Sequence, residues 1–98
     1  MTFQLRFLAS AEQELRETAH WYDSHSDGTG VRFRACIADA MSAIATSPLS
    51  FRCLPSEPTV RSALVKHFPY AVIFSIEAEH ILVLAIAHTR RQPGYWSR

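Results

Sequence analysis

The 98-residue sequence is short of the residues that would tie it to a metal, a disulfide framework or a membrane. Its two cysteines, Cys36 and Cys53, stand 17 positions apart and form no CxxC pair. That spacing predicts buried, reduced thiols rather than a bridge or a zinc knuckle. The five histidines (20, 25, 67, 80 and 88) lack the paired spacing of a zinc site, so no metal and no cofactor are expected. No apolar run reaches the roughly 20 residues that a membrane helix needs. Met1 leads straight into a strand-like pattern, without the charged and apolar regions of a signal peptide, so a cytoplasmic protein is the expectation. A net charge of +1 argues against a strong polyelectrolyte partner.

What remains is a globular composition. Hydrophobic residues make up 48% of the chain and charged residues only 19%, which excludes disorder, and the length fits one domain over residues 1–98. The charge is unevenly placed. Residues 1–59 carry five basic and seven acidic side chains, whereas residues 60–98 carry five basic and two acidic. The positive field therefore belongs to the second half.

The opening "TFQLRFL" alternates, with Phe3, Leu5 and Phe7 on one side, and reads as a half-buried strand. Ser10 then opens a helix, and Gln13 three residues later completes a capping-box pattern. Ala11, Leu15, Ala19 and Tyr22 recur at helical spacing; Glu12, Glu14 and Arg16 lie off that stripe. Adjacent Trp21 and Tyr22 point about 100° apart, so Tyr22 joins the stripe and Trp21 flanks it or meets a partner. "DSHSDGTG" turns the chain. A second helix from about Thr29 carries Phe33, Ile37, Ala40, Met41 and Ile44 on its apolar side, and Pro48 stops it.

Residues 48–59, with three of the five prolines, read as a connecting loop. Strands are expected at about 60–67, 70–77 and 80–88, the last two joined through Ala78-Glu79. "AVIF" and "ILVLAIA" are apolar at consecutive positions, so both faces of that sheet need cover. The helical hairpin covers one. The other falls to the C-terminal tail, a second subunit or a partner. The expected fold class is α+β: a β-α-α-β-β-β order, with a small antiparallel-rich sheet and a helical hairpin packed on one face.

Five segments then resemble one family. They are "SAEQEL", "HWYD", "VRFRACIADAMSAIATSP", "VRSALVKHFPYAVIFSI" and the closing "ILVLAIAHTRRQPGYW". Together they resemble the ParE/RelE superfamily, toxins of bacterial type II toxin–antitoxin modules, and within it the ParE-like, plasmid-stabilisation branch. The resemblance implies a toxin neutralised by a cognate antitoxin protein, with DNA reached only through that antitoxin. It further implies DNA gyrase as the target, inhibited by binding rather than by catalysis. The alternative it implies is a RelE-like endoribonuclease acting on ribosome-bound mRNA. A third is a non-toxic member that only binds its antitoxin.

Side chains weigh between these branches. Cleavage through a 2′-hydroxyl needs a base, an acid and cations for the phosphorane. In the resemblance, Ser62, Leu64 and Ala71 stand where the nuclease branch carries cations, which favours the binding toxin. If the chain is a nuclease, His88, Arg90 and Tyr95 are its catalytic candidates. For target binding the candidates are Arg61, Lys66, Arg90, Arg91 and Trp96. Each has a plainer reading. His88 can hydrogen-bond backbone at the strand end. Arg61 can bond the C-terminal carboxylate or an acid on the first helix. Tyr95 and Trp96 can fold back on the sheet as a clasp, with Pro93-Gly94 as the turn. "FPY" reads as structural, Pro69 setting an edge or bulge and Tyr70 packing its ring while using its hydroxyl.

Overall fold

The alternation in "TFQLRFL" produces strand β1 (Gln4–Phe7), and its apolar side, Phe3, Leu5 and Phe7, packs on the main core. Helices α1 (Ala9–His25) and α2 (Thr29–Thr46) follow, then a 3-10 turn at Pro48–Ser50. Strands β2 (Cys53–Leu54), β3 (Glu57–Leu64), β4 (Tyr70–Ile76) and β5 (His80–His88) complete the order. This computed structural model describes residues 3–91 and 94–97. The strands form one sheet in the order β1-β5-β4-β3-β2; β1 runs parallel to β5 and the other pairings are antiparallel. The α+β arrangement and the helical hairpin on one face are as expected.

Three local expectations are corrected. No capping box forms at Ser10. Helix α1 starts one residue earlier, with Leu8 as its N-cap and no side-chain cap. The Leu8 carbonyl accepts the amides of Ala11 and Glu12, while the Leu8 amide donates to the Val83 carbonyl. The strand-to-helix junction is thus fixed by backbone, and Gln13 donates to Glu17 instead. Second, the proline-rich segment is not all loop: it holds β2 and the start of β3, and the Ser62 amide donates to the Arg52 carbonyl. Third, the cysteines are free but not buried. Cys36 is half-buried and Cys53 exposed on the short edge strand.

The helices pack tightly because of one glycine. A Cβ on Gly30 would run into the Ala19 carbonyl and the Asp23 carboxylate, and the Gly30 amide donates to Asp23 Oδ1 at 2.7 Å. The hairpin closes at that point. Beneath it, Phe33, Ile37, Met41 and Ile44 of α2 meet Val72 and Phe74 of β4 and Ile81, Val83 and Ile86 of β5.

The continuous apolar run of β5 is explained by a β-bulge. Ile73 pairs with Ala85 but Phe74 pairs with Val83, which leaves Leu84 as an extra residue. A bulge reverses the side-chain alternation. Ile81 and Val83 before it, and Ile86 after it, all face the helices. Ala85 and Ala87 face away, with Val60, Ala71 and Ile73. The two cores demanded by "ILVLAIA" are both present.

Candidate functional site

The helix-free face is floored by Val60, Ala71, Ile73, Ala85 and Ala87, and partly covered by Leu54, Leu84, Tyr95 and Trp96. The cover is the C-terminal segment folded back. Gly94 takes a positive φ of 90°, a conformation that suits a reversing chain; Pro93 lies outside the described residues. Tyr95–Ser97 form a single 3-10 turn against the sheet. The expected clasp is therefore present in Tyr95 and Trp96.

The clasp is latched by Glu14 of α1. Beyond the end of β1, strand β5 has no neighbouring strand on that side among the described residues, and an open edge leaves amides without partners. Glu14 Oε1 accepts the Ile86 amide at 3.0 Å, and Glu14 Oε2 accepts the Tyr95 hydroxyl at 2.7 Å. One carboxylate thus closes the sheet edge and holds the tail. Arg91 lies over the Tyr95 ring, 3.8 Å from its centroid, which is cation–π distance. Burial first, then the hydrogen bond to Glu14 and its charge, push the Tyr95 phenol well above its ordinary 10, with Arg91 opposing. Trp96 packs edge-on to Tyr95, with ring centroids 5.2 Å apart. Its indole nitrogen is buried without a partner among the described residues.

Trp96 divides the helix-free face into two shallow clefts. One is lined by Glu57, Glu77, Leu82 and Leu84. The other is lined by Arg52, Ser62, Ile73, Thr89 and Arg91. An apolar floor with two arginines and an aromatic wall suits recognition of a partner surface, since aromatics and arginine supply much of the energy at interfaces.

The candidates named from the sequence are dispersed by the fold. His88 turns to the helix side: it pairs with Tyr70 and meets that ring edge-on at 5.1 Å. Its Nδ1 accepts the Arg90 amide at 3.1 Å, so backbone bonding, the plainer reading, is realised. The Arg90 and Arg91 side chains are both exposed, and Arg91 also lies over the Tyr95 ring. Arg61 bonds neither the C-terminus nor an acid on α1. Its Nη1 donates to the Phe51 carbonyl at 2.5 Å, because its β3 position faces the 3-10 turn that it tethers. Lys66 is exposed and lines a groove between α2 and β3 with Cys36, Asp39 and Leu64. Ser62 and Leu64 pair with Ile73 and Ala71, so the positions lacking cations do share the helix-free side. Pro69 precedes β4 and accepts the Thr89 amide. Tyr70 packs its ring, but its hydroxyl has no hydrogen bond to a described residue.

Two residues escape a reading of periodicity. Glu14 looks like a solvent-side acid because it is off the apolar stripe. Arg52 sits in a proline-rich stretch with no period. The signal for Glu14 was the parallel edge pairing, which ends before β5 does.

Against known proteins, a family model described as the ParE toxin of type II toxin-antitoxin system, parDE, matches residues 5–93. The chain belongs to this family. Among solved structures, one described as the chromosomal ParDE toxin–antitoxin system from P. aeruginosa superposes with a TM-score of 0.76. It is 18% identical, and the match covers 89% of this chain and 96% of that one; at that identity the likeness concerns the fold. No curated protein matches the sequence. Membership of the ParE toxin family makes the chain the toxin of a type II pair and implies an antitoxin partner. No helix among the described residues is long and apolar enough to cross a membrane.

Proposed function

We propose that this ParE-family toxin acts by binding DNA gyrase and that its antitoxin silences it by covering apolar surface and masking part of the basic C-terminal region. The observation that carries this reading is the helix-free face: a small-residue floor, clasped by Tyr95 and Trp96 and flanked by Arg52 and Arg91. Such a face suits docking on a large partner.

Catalysis is poorly served by the same residues. A phosphoryl-transfer site needs free acid, base and cations close together. The Tyr95 proton is committed to Glu14. His88 Nδ1 is already an acceptor, and its ring packs edge-on against Tyr70. Ser62, Leu64 and Ala71 add no charge. Hence binding, not RNA cleavage, is the favoured activity.

Induced expression of the chain without its antitoxin tests this. The expected result is arrested growth with relaxed plasmid DNA and intact mRNA. Cleaved mRNA with normal supercoiling would establish the nuclease reading, and undisturbed growth would leave a protein that only binds its antitoxin.

A further inference from the structure

A second concavity, away from the helix-free face, lies between the C-terminal half of α1 and the start of β4. Its walls are aromatic: Trp21, Tyr22, Tyr70 and His88, with Glu17 at the rim. The rings are not stacked on one another. Trp21 meets Tyr22 at 82°, Tyr22 meets Tyr70 at 73°, and Tyr70 meets His88 at 79°. Tyr22 and Tyr70 are anchored from below by Phe33, and Tyr22 also by Phe68, so the concavity rests on an aromatic base. Trp21 is 54% exposed, far more than core packing requires. Yet it is held in place: His25 stacks on it at 4.0 Å, and its carbonyl accepts the Ser24 hydroxyl and contacts His25 Nδ1.

The charges here have one sign. Glu17 supplies a carboxylate, of which Oε2 accepts from Gln13 at 2.9 Å and Oε1 has no partner among the described residues. His88 Nδ1 is occupied by the Arg90 amide. The Tyr22 and Tyr70 hydroxyls also lack hydrogen bonds to described residues, so both are open acceptors. Aromatic faces attract cations through their quadrupole. Only guanidinium combines a flat surface for an indole with several N–H donors for a carboxylate and two hydroxyls.

We propose that this concavity is a binding site for an arginine side chain of a partner polypeptide, held against the exposed Trp21 ring with Glu17 as its counter-charge. The site is independent of the gyrase reading. It would serve any partner that presents an arginine to this side of the toxin, and the negative rim disfavours nucleic acid.

The test is an NMR titration of the isotope-labelled full chain, made by cell-free synthesis, with the peptide acetyl-Gly-Arg-Gly-amide. The control is the same peptide with neutral citrulline in place of arginine. The arginine peptide is expected to move the Trp21 indole signal saturably, while the Trp96 indole, on the opposite face, stays still. Citrulline should leave both unmoved. Glu17→Gln, a change on an exposed helix position, should weaken arginine binding about fivefold. Equal shifts with citrulline, no saturable shift with arginine, or undiminished binding in the Glu17→Gln chain would each overturn the proposal. So would a stronger Trp21 response to adenosine monophosphate, which would make the site a base-stacking one.

Discussion

The two faces of the sheet are built from different materials. The helix-covered side is packed with Phe33, Phe74, Ile44, Ile81, Val72 and Val83, each under 2% exposed. The helix-free side is floored mostly by alanines and closed by a single short segment latched at Glu14. Large interlocking side chains make a face that carries stability. Small ones under a thin clasp make a face that another molecule can reach. On the proposed reading, the division of labour between fold and function follows the sheet plane; the Leu84 bulge lets one apolar strand serve both sides.

Substitutions should respect that division. The largest loss of stability is expected for Phe74→Ala, about 3–5 kcal/mol by urea unfolding, because the ring is fully buried between helices and sheet. A cost under about 1 kcal/mol would mean the faces are not so different. Gly30→Ala should come next, at about 1–3 kcal/mol, since its methyl meets the Ala19 carbonyl, which belongs to backbone and cannot swing aside.

The clasp side should respond more mildly and with a pH signature. Glu14→Gln is expected to cost about 1–2 kcal/mol and to speed hydrogen exchange at the Ile86 amide. The phenol of Tyr95 is held above its ordinary value of 10 by burial and Glu14. Its contribution is therefore whole below pH 10. It is lost as the pH climbs from there toward the folded value, because the unfolded chain gives up its proton first. Tyr95→Phe should flatten that alkaline decline. Burial also raises Tyr22, with Tyr70 adding to the effect, so some slope should remain; an unchanged slope would place Tyr95 away from Glu14. Last, Arg90→Ala should shift stability by no more than about 0.5 kcal/mol, since the side chain is exposed.

Much of the covered face was legible in the sequence, for a simple reason. Periodicity reports burial, and Ala11, Leu15, Ala19 and Tyr22, like Phe33, Ile37, Met41 and Ile44, obey it. The run "ILVLAIA" announced two apolar faces but could not announce a bulge, because alternation carries no mark where it slips. β2 was hidden for a related reason: two residues are too few to show a period. The site was less readable still. Glu14 and Tyr95 are 81 positions apart, and their pairing depends on where β1 stops alongside β5. Arg61 looked like a free cation, yet it is satisfied within the chain by the Leu49 and Phe51 carbonyls. Charge can be counted from a sequence, but whether it is spent cannot.

The most direct test of the account is gyrase supercoiling with the purified chain and with its Arg90→Ala, Arg91→Ala double variant, both checked for an intact fold. The unaltered chain is expected to inhibit supercoiling, and the double variant to lose about tenfold in potency. Supercoiling left untouched by the unaltered chain, or inhibited equally by both, would contradict it.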